Sequence, residues 1–193
     1  MPLPRFDRLA PSARAAILTV ARAHFARDGK DAASFNQIIA DAGISKTSAY
    51  HYFDGKDDLF TAVAADAADR ALAVLGPWTE VDSAQALWEQ IATGANRLAA
   101  HLRDHPDDRA ILAAARPDGH HPWIDQLLDN GLRLGLIDPH PDIELITLAT
   151  AAVIATVDAW TLDRSDELHD SLAPTLTLLL SRLWNTPNDL RMH

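Results

Sequence analysis

Ser34-Phe35-Asn36-Gln37-Ile38-Ile39-Ala40-Asp41-Ala42-Gly43-Ile44-Ser45-Lys46-Thr47-Ser48-Ala49-Tyr50-His51-Tyr52-Phe53 decides the fold of this 193-residue chain. The stretch reads as two short helices hinged at a glycine. Phe35, Ile38, Ile39 and Ala42 recur at the spacing of one apolar helical face. Ser34 stands before that face and Gln37 three residues on, the pattern of a capping box. Gly43 follows the last apolar residue, where a chain leaving a helix turns to positive φ. Ile44 offers an apolar side chain to the corner, and Ser45 is a good N-cap for the next helix. On that helix Ala49 and Phe53 lie four apart and face inward. Lys46, Thr47, Ser48, Tyr50, His51 and Tyr52 are left outward or on the flanks. An ordinary surface helix carries more Glu and fewer Tyr and His.

Working outward, Ile17, Val20, Ala21, His24 and Phe25 mark one face of a helix from about Pro11 to Asp28, which Gly29 ends. His24 lies on that apolar face and reads as a packing residue. Asp54-Gly55 is a turn, and Lys56-Asp57-Asp58-Leu59-Phe60 opens a further helix whose acidic first turn complements the helix dipole. A helix pair of this kind can lay its second member in the major groove of DNA.

Residues 12–60 resemble the DNA-binding region of TetR-type transcriptional regulators. The resemblance is carried by Phe25 and Gly29, by Ile38-Ile39-Ala40 and Ala42-Gly43-Ile44-Ser45 through the hinge, and by Tyr50-His51-Tyr52-Phe53 with Lys56 and Leu59. Ala49 stands where the family often has a larger apolar residue, and Thr47 where a small residue such as Gly is frequent. The resemblance implies an all-α protein of about nine helices. It divides the chain into a three-helix DNA-binding head, residues 1–56, and a helical ligand-binding and dimerisation domain, residues 57–193. It also implies a repressor, or less often an activator, that leaves a palindromic operator when a small-molecule effector binds. The effector and the operator sequence are not named by the residues.

Charge follows the same division. Residues 1–56 hold eight Lys/Arg against five Asp, a net of +3, whereas the whole chain carries −10. The remainder therefore carries −13. A basic end meets phosphate while the acidic body is repelled from it. Within the head, Lys46 can donate to guanine or phosphate, Thr47 can touch a thymine methyl, and His51 can donate to a base acceptor. Asn36 faces the groove side. Ser48, Tyr50, Tyr52 and Lys56 are expected on phosphates, which set register without reading sequence. Ser34 and Ser45 cap their helices and can offer N-terminal N–H groups to a phosphate.

The second part reads as helices at about Lys56–Leu75, Ser83–Arg103, Asp108–Ala115, Pro122–Leu134, Asp142–Leu162 and Asp166–Trp184, with Pro174 expected to kink or delay the last. The final two are unusually apolar. Ala149, Ala152 and Ala155 permit close helix approach, so a homodimer through these two helices is expected alongside plain burial within one subunit. Trp88, Trp123 and Trp160 are candidate walls of an effector pocket, with Asn96, Gln126 or Asp158 as polar contacts; the tryptophans also read as core.

No Cys occurs, so neither disulfides nor a thiolate metal site is expected. The start lacks the apolar segment of a secretory signal, and no uninterrupted apolar run approaches the ~20 residues of a membrane span. A cytoplasmic protein with no membrane partner and no cofactor is expected. Two other classes compete: a metal-dependent hydrolase using His101, His105 or His120-His121, and a helical interaction protein without a DNA role. No HExxH, nucleophile–His–Asp arrangement or phosphate-binding Gly loop supports an enzyme.

Overall fold

The computed structural model describes residues 2–115, 122–138, 140, 142–162 and 172–184. Among them are ten helices and no strand, as the all-α expectation requires. They are α1 (Pro4–Asp7), α2 (Pro11–Ala32), α3 (Phe35–Asp41), α4 (Lys46–Tyr52), α5 (Lys56–Ala73), α6 (Ala84–Asp104), α7 (Pro106–Ala115), α8 (Pro122–Arg133), α9 (Ile143–Leu162) and α10 (Leu172–Leu183). The helix beyond the expected nine is α1, four residues long, too short for any periodicity to declare it. His120-His121 lies outside the described residues. Pro174 falls in the first turn of α10, where a missing N–H costs no helical bond.

The chain forms two compact units. Unit 1 comprises residues 1–71 and 104–115. Its core gathers Ala21 and Phe25 of α2, Ile38 of α3, Ala49 of α4, Phe53, and Leu59, Phe60 and Val63 of α5. Phe25 meets Phe60 edge-on at 5.2 Å, the arrangement aromatic quadrupoles favour. Helix α7 packs along α2 and is tied there by charge. Arg70 forks onto buried Asp108, with Nη2 at 2.6 Å from Oδ1 and Nε at 3.1 Å from Oδ2. Arg22 reaches the same carboxylate at 3.6 Å and Asp66 at 3.3 Å, and Arg70 also pairs with Asp66. Burial, and then the nearby Arg70, hold the Arg22 guanidinium below its usual range. Two Arg and two Asp thus neutralise one another where either charge alone would be costly.

Unit 2 comprises residues 72–103 and 116–193. Leu87 and Trp88 of α6, Leu127 of α8, Leu136, Leu180 of α10 and Trp184 are sealed in its core. Trp88 stacks on Trp184 at 5.3 Å, and the Trp184 indole N–H donates to Thr150 of α9 at 2.9 Å. Gly135 takes φ 69° to close α8. Asn130, buried on α8, uses both ends of its amide. Its oxygen accepts from Trp78 Nε1 at 3.1 Å and Val81 N at 2.8 Å, and its nitrogen donates to Val81 O at 2.9 Å. Asn130 therefore pins the 78–81 segment together with Arg133, which donates to Val81 O at 2.7 Å and pairs with Glu80 at 2.6 Å.

Helix α9 holds no long uninterrupted apolar run, yet its average is high. Ile143–Thr161 is long and apolar enough to cross a membrane by length and composition. Glu144, Asp158 and the threonines interrupt the run that a reading of the bare sequence looks for, without lowering its mean hydropathy enough. Ile146, Thr150, Ala151, Val157 and Thr161 are buried in the unit 2 core, as in a bundle helix. Only 22% of the apolar window is buried, however, so a second apolar face stays uncovered.

Asn130→Ala strands two donors, the Trp78 indole N–H and Val81 N, while Val81 O keeps Arg133 Nη2 at 2.7 Å. It is expected to lower stability by about 2–4 kcal/mol, read as a shift of the denaturation midpoint in urea.

Candidate nucleic-acid interface

The hinge is built by backbone geometry. Ser34 caps α3, its hydroxyl accepting from Gln37 N at 3.4 Å. The reciprocal half of the expected capping box is replaced: Gln37 Nε2 donates forward to Asp41 at 2.8 Å. At the far end Gly43 takes φ 68°, Gly43 N donates to Ala40 O at 3.0 Å, and Ile44 N to Ile39 O at 3.1 Å. This is a Schellman closure, and it satisfies the last carbonyls of α3 while reversing the chain. Ser45 then caps α4, accepting from Ser48 N at 3.1 Å.

Helix α4 is seated by Ala49 and Phe53, both fully buried. Lys46, Thr47, Tyr50 and His51 are exposed, and Ser48 and Tyr52 half-buried. Tyr50 leans on Phe35 with ring centres 5.6 Å apart while remaining 52% exposed, so its hydroxyl is free to reach outward. Asn36, Ser34 and Ser45 are exposed. Lys56 is half-buried, with Nζ donating to Asp31 O at 2.6 Å. An exposed polar row therefore runs along a short rod, held by an apolar underside.

His24 braces the rod's support. Its Nε2 lies 2.8 Å from Asp41 Oδ2 and its Nδ1 3.0 Å from Arg27 Nη2. Arginine only donates, so Nδ1 accepts and the ring proton sits on Nε2, donated to Asp41. The histidine on the apolar face is thus a satisfied packing residue that joins α2 to α3.

In unit 2 a groove of about 340 Å³ is lined by Leu75, Pro77, Thr79, Glu89, Gln90, Thr93, Arg97 and Trp123, among others. Of the six candidate ligand residues only Trp123 lines it. Trp88 is fully buried, and its Nε1 has no hydrogen-bond partner. Asn96 and Gln126 are exposed, and Trp160 is half-buried. The polar face of α6 that borders the groove, Glu89, Gln90, Thr93 and Arg97, was not singled out in the sequence, though its helical spacing was available there. Trp78 meets Trp123 edge-on at 4.9 Å, so the segment pinned by Asn130 also sets the groove's wall. Asp158 of α9 is partly buried, and burial pushes its carboxyl up to about 7. No group of three or more His, Cys, Asp or Glu able to hold a metal occurs among the described residues.

Residues 17–63 match the family model of bacterial regulatory proteins of the tetR family. The fold is that of several solved structures. A TetR-family regulator from Streptomyces coelicolor is 20% identical, with 92% of this chain and 98% of that one covered and a TM-score of 0.60. A TetR-family transcriptional regulator from Pectobacterium atrosepticum is 21% identical, over 92% and 96%, at 0.61. TylP, a TetR regulator from Streptomyces fradiae, is 19% identical, over 93% and 89%, at 0.56. Among curated proteins none matches the sequence.

Asp158 sets a pH dependence. Its carboxyl holds a proton more tightly folded than unfolded, so its contribution is greatest below the ordinary carboxylate range. Stability from this group is lost as pH rises from the ordinary carboxylate range through about 7. Chemical denaturation across pH 4–7 should show this slope in the wild type, at most ~1.4 kcal/mol per pH unit, and lose it in Asp158→Asn.

Proposed function

We propose that this chain, whose residues 17–63 match the family model of bacterial tetR regulatory proteins, is a DNA-binding transcriptional regulator that acts as a homodimeric repressor released from a palindromic operator by a small-molecule effector. The observation that carries the DNA reading is the exposed row Lys46, Thr47, Tyr50 and His51 on a helix seated by Ala49 and Phe53. Lys46, Thr47 and His51 are proposed as base contacts, with Asn36 at the groove's edge. Ser34, Ser45, Ser48, Tyr50, Tyr52 and Lys56 are proposed as phosphate contacts. Residues 1–56 serve as the head and 57–193 as the regulatory part, working in the cytoplasm where the operator is.

Pairing is supported by exposure. Six large apolar side chains are exposed among the described residues, and five of them lie on α9 and α10: Ile143, Leu145, Leu148, Leu178 and Leu179. Leu145, Leu148, Ala152 and Thr156 follow helical spacing along the uncovered side of α9. An apolar row of this length on a protein in water calls for a cover. A second copy supplies one by two-fold symmetry and presents two recognition helices to one duplex. The membrane alternative suits α9 poorly, because its other side is built into the unit 2 core.

For the effector, the groove beside Trp123 is the proposed entry, with Gln90 and Thr93 as polar contacts. The free Nε1 of Trp88 is a donor available to a ligand that opens the core beside it.

Leu148→Glu is expected to raise the dimer dissociation constant roughly 30-fold in sedimentation equilibrium, with the melting curve of the monomer unchanged. A dimer as tight as the wild type would show that pairing lies elsewhere. In gel-shift titrations on an operator selected from random DNA, Lys46→Ala should weaken binding by about 1–3 kcal/mol and Lys56→Ala should lower the salt slope by ~1 per subunit. Unchanged binding in both, and in Tyr50→Phe, would remove α4 from the interface.

A further inference from the structure

The short helix α1 is fastened to the recognition helix. Leu3 N donates to Tyr52 O at 2.9 Å. Pro4 opens α1 at a position where its fixed φ is pre-set. Phe6 is buried, its ring 4.7 Å from Phe53 and 6.3 Å from Tyr52. Arg14 Nη1 reaches back to Asp7 O at 3.5 Å. The first residues are therefore a docked arm whose position is referred to the C-terminal end of α4.

The arm also holds the head's uncommitted charge. Of the eight basic residues up to Lys56, three face carboxylates: Arg22 with Asp66 and Asp108, Arg27 with Asp28, and Lys30 with Asp57. Arg14 and Lys56 are bonded to backbone carbonyls. Arg5, Arg8 and Lys46 remain, all exposed. A duplex presents one negative charge per ~1.7 Å, and affinity grows with each phosphate neutralised. A head gripping with Lys46 and Lys56 alone would be weakly held. Arg5 and Arg8 supply two further cations at a fixed offset from the reading side chains, and Asp7 between them subtracts one charge.

We infer that Arg5 and Arg8 bind phosphates of the duplex beside the groove that α4 enters, making α1 a second, sequence-blind part of the DNA interface. The inference rests on the DNA-binding reading of the head. Phosphate contact sets register and orientation and leaves base preference to α4.

The test uses the full chain and an operator selected from random DNA, with affinity measured from 50 to 200 mM salt. Arg5→Ala/Arg8→Ala should lower the slope of log K against log salt by about 1.8 per subunit and weaken binding at least about 10-fold at the low-salt end. Its selected sequence should equal the wild type's, and Arg5→Lys/Arg8→Lys should restore most of the affinity. Phe6→Ala keeps both charges but frees the arm, and should fall between the wild type and the double alanine variant. A wild type that selects an operator while the double alanine variant matches its affinity and slope overturns the inference and leaves the DNA reading standing. A changed base preference in the double lysine variant also overturns it, since the arginines would then be reading bases. A wild type that binds no DNA removes both.

Discussion

The left-handed turn at Gly43 is the constraint on which the head depends. The two backbone bonds across it, from Gly43 to Ala40 and from Ile44 to Ile39, fix the direction in which the chain leaves α3. Everything about α4 follows from that direction: Ala49 and Phe53 fall into the core, and Lys46, Thr47, Tyr50 and His51 fall outside it. A side chain at this position would be strained whatever space surrounds it, because φ is 68°. The reading surface is set by one residue that never touches it.

Around that corner the head is stiffened by two kinds of contact. Aromatic rings join α2 to α5 and α1 to α4, and tolerate small shifts. The paired charges of Arg22, Asp66, Arg70 and Asp108, and the His24 bridge to Asp41, demand particular angles. The first kind adds burial; the second keeps neighbouring helices in register. In unit 2 the same division recurs, with the Trp88–Trp184 stack as mass and the Asn130 amide as the positioning device.

Much of this was legible in the residues. Ser34, Gly43 and Ser45 announce helix ends through local chemistry, so the hinge could be read without any long-range knowledge. The spacing of Ile124, Leu127 and Leu128 likewise declares the buried side of α8. What stayed hidden depends on distant partners. Helix α1 has too few residues for a period, and only the ring of Phe53 gives Phe6 a reason to be buried. Gln37 was expected to reach back to its cap, but Asp41 offers it a charged acceptor one turn ahead. Little local distinguishes Trp88, sealed in the core, from Trp123 at a groove, because each has an aliphatic neighbour (Leu87, Ile124) and another about one turn on (Ile91, Leu127). The high mean hydropathy of α9 is hidden for a related reason: isolated Glu and Asp break the apolar run while leaving the average apolar.

The charge cluster under α7 has a consequence for descent. A single replacement at Arg22, Asp66, Arg70 or Asp108 leaves an uncancelled charge in a half-buried cluster, and Asp108 is only 2% exposed. Drift at one of the four positions is therefore permitted only when another compensates, or when all become apolar together. Lineages of this protein should carry the quartet whole, inverted or gone, and seldom in halves.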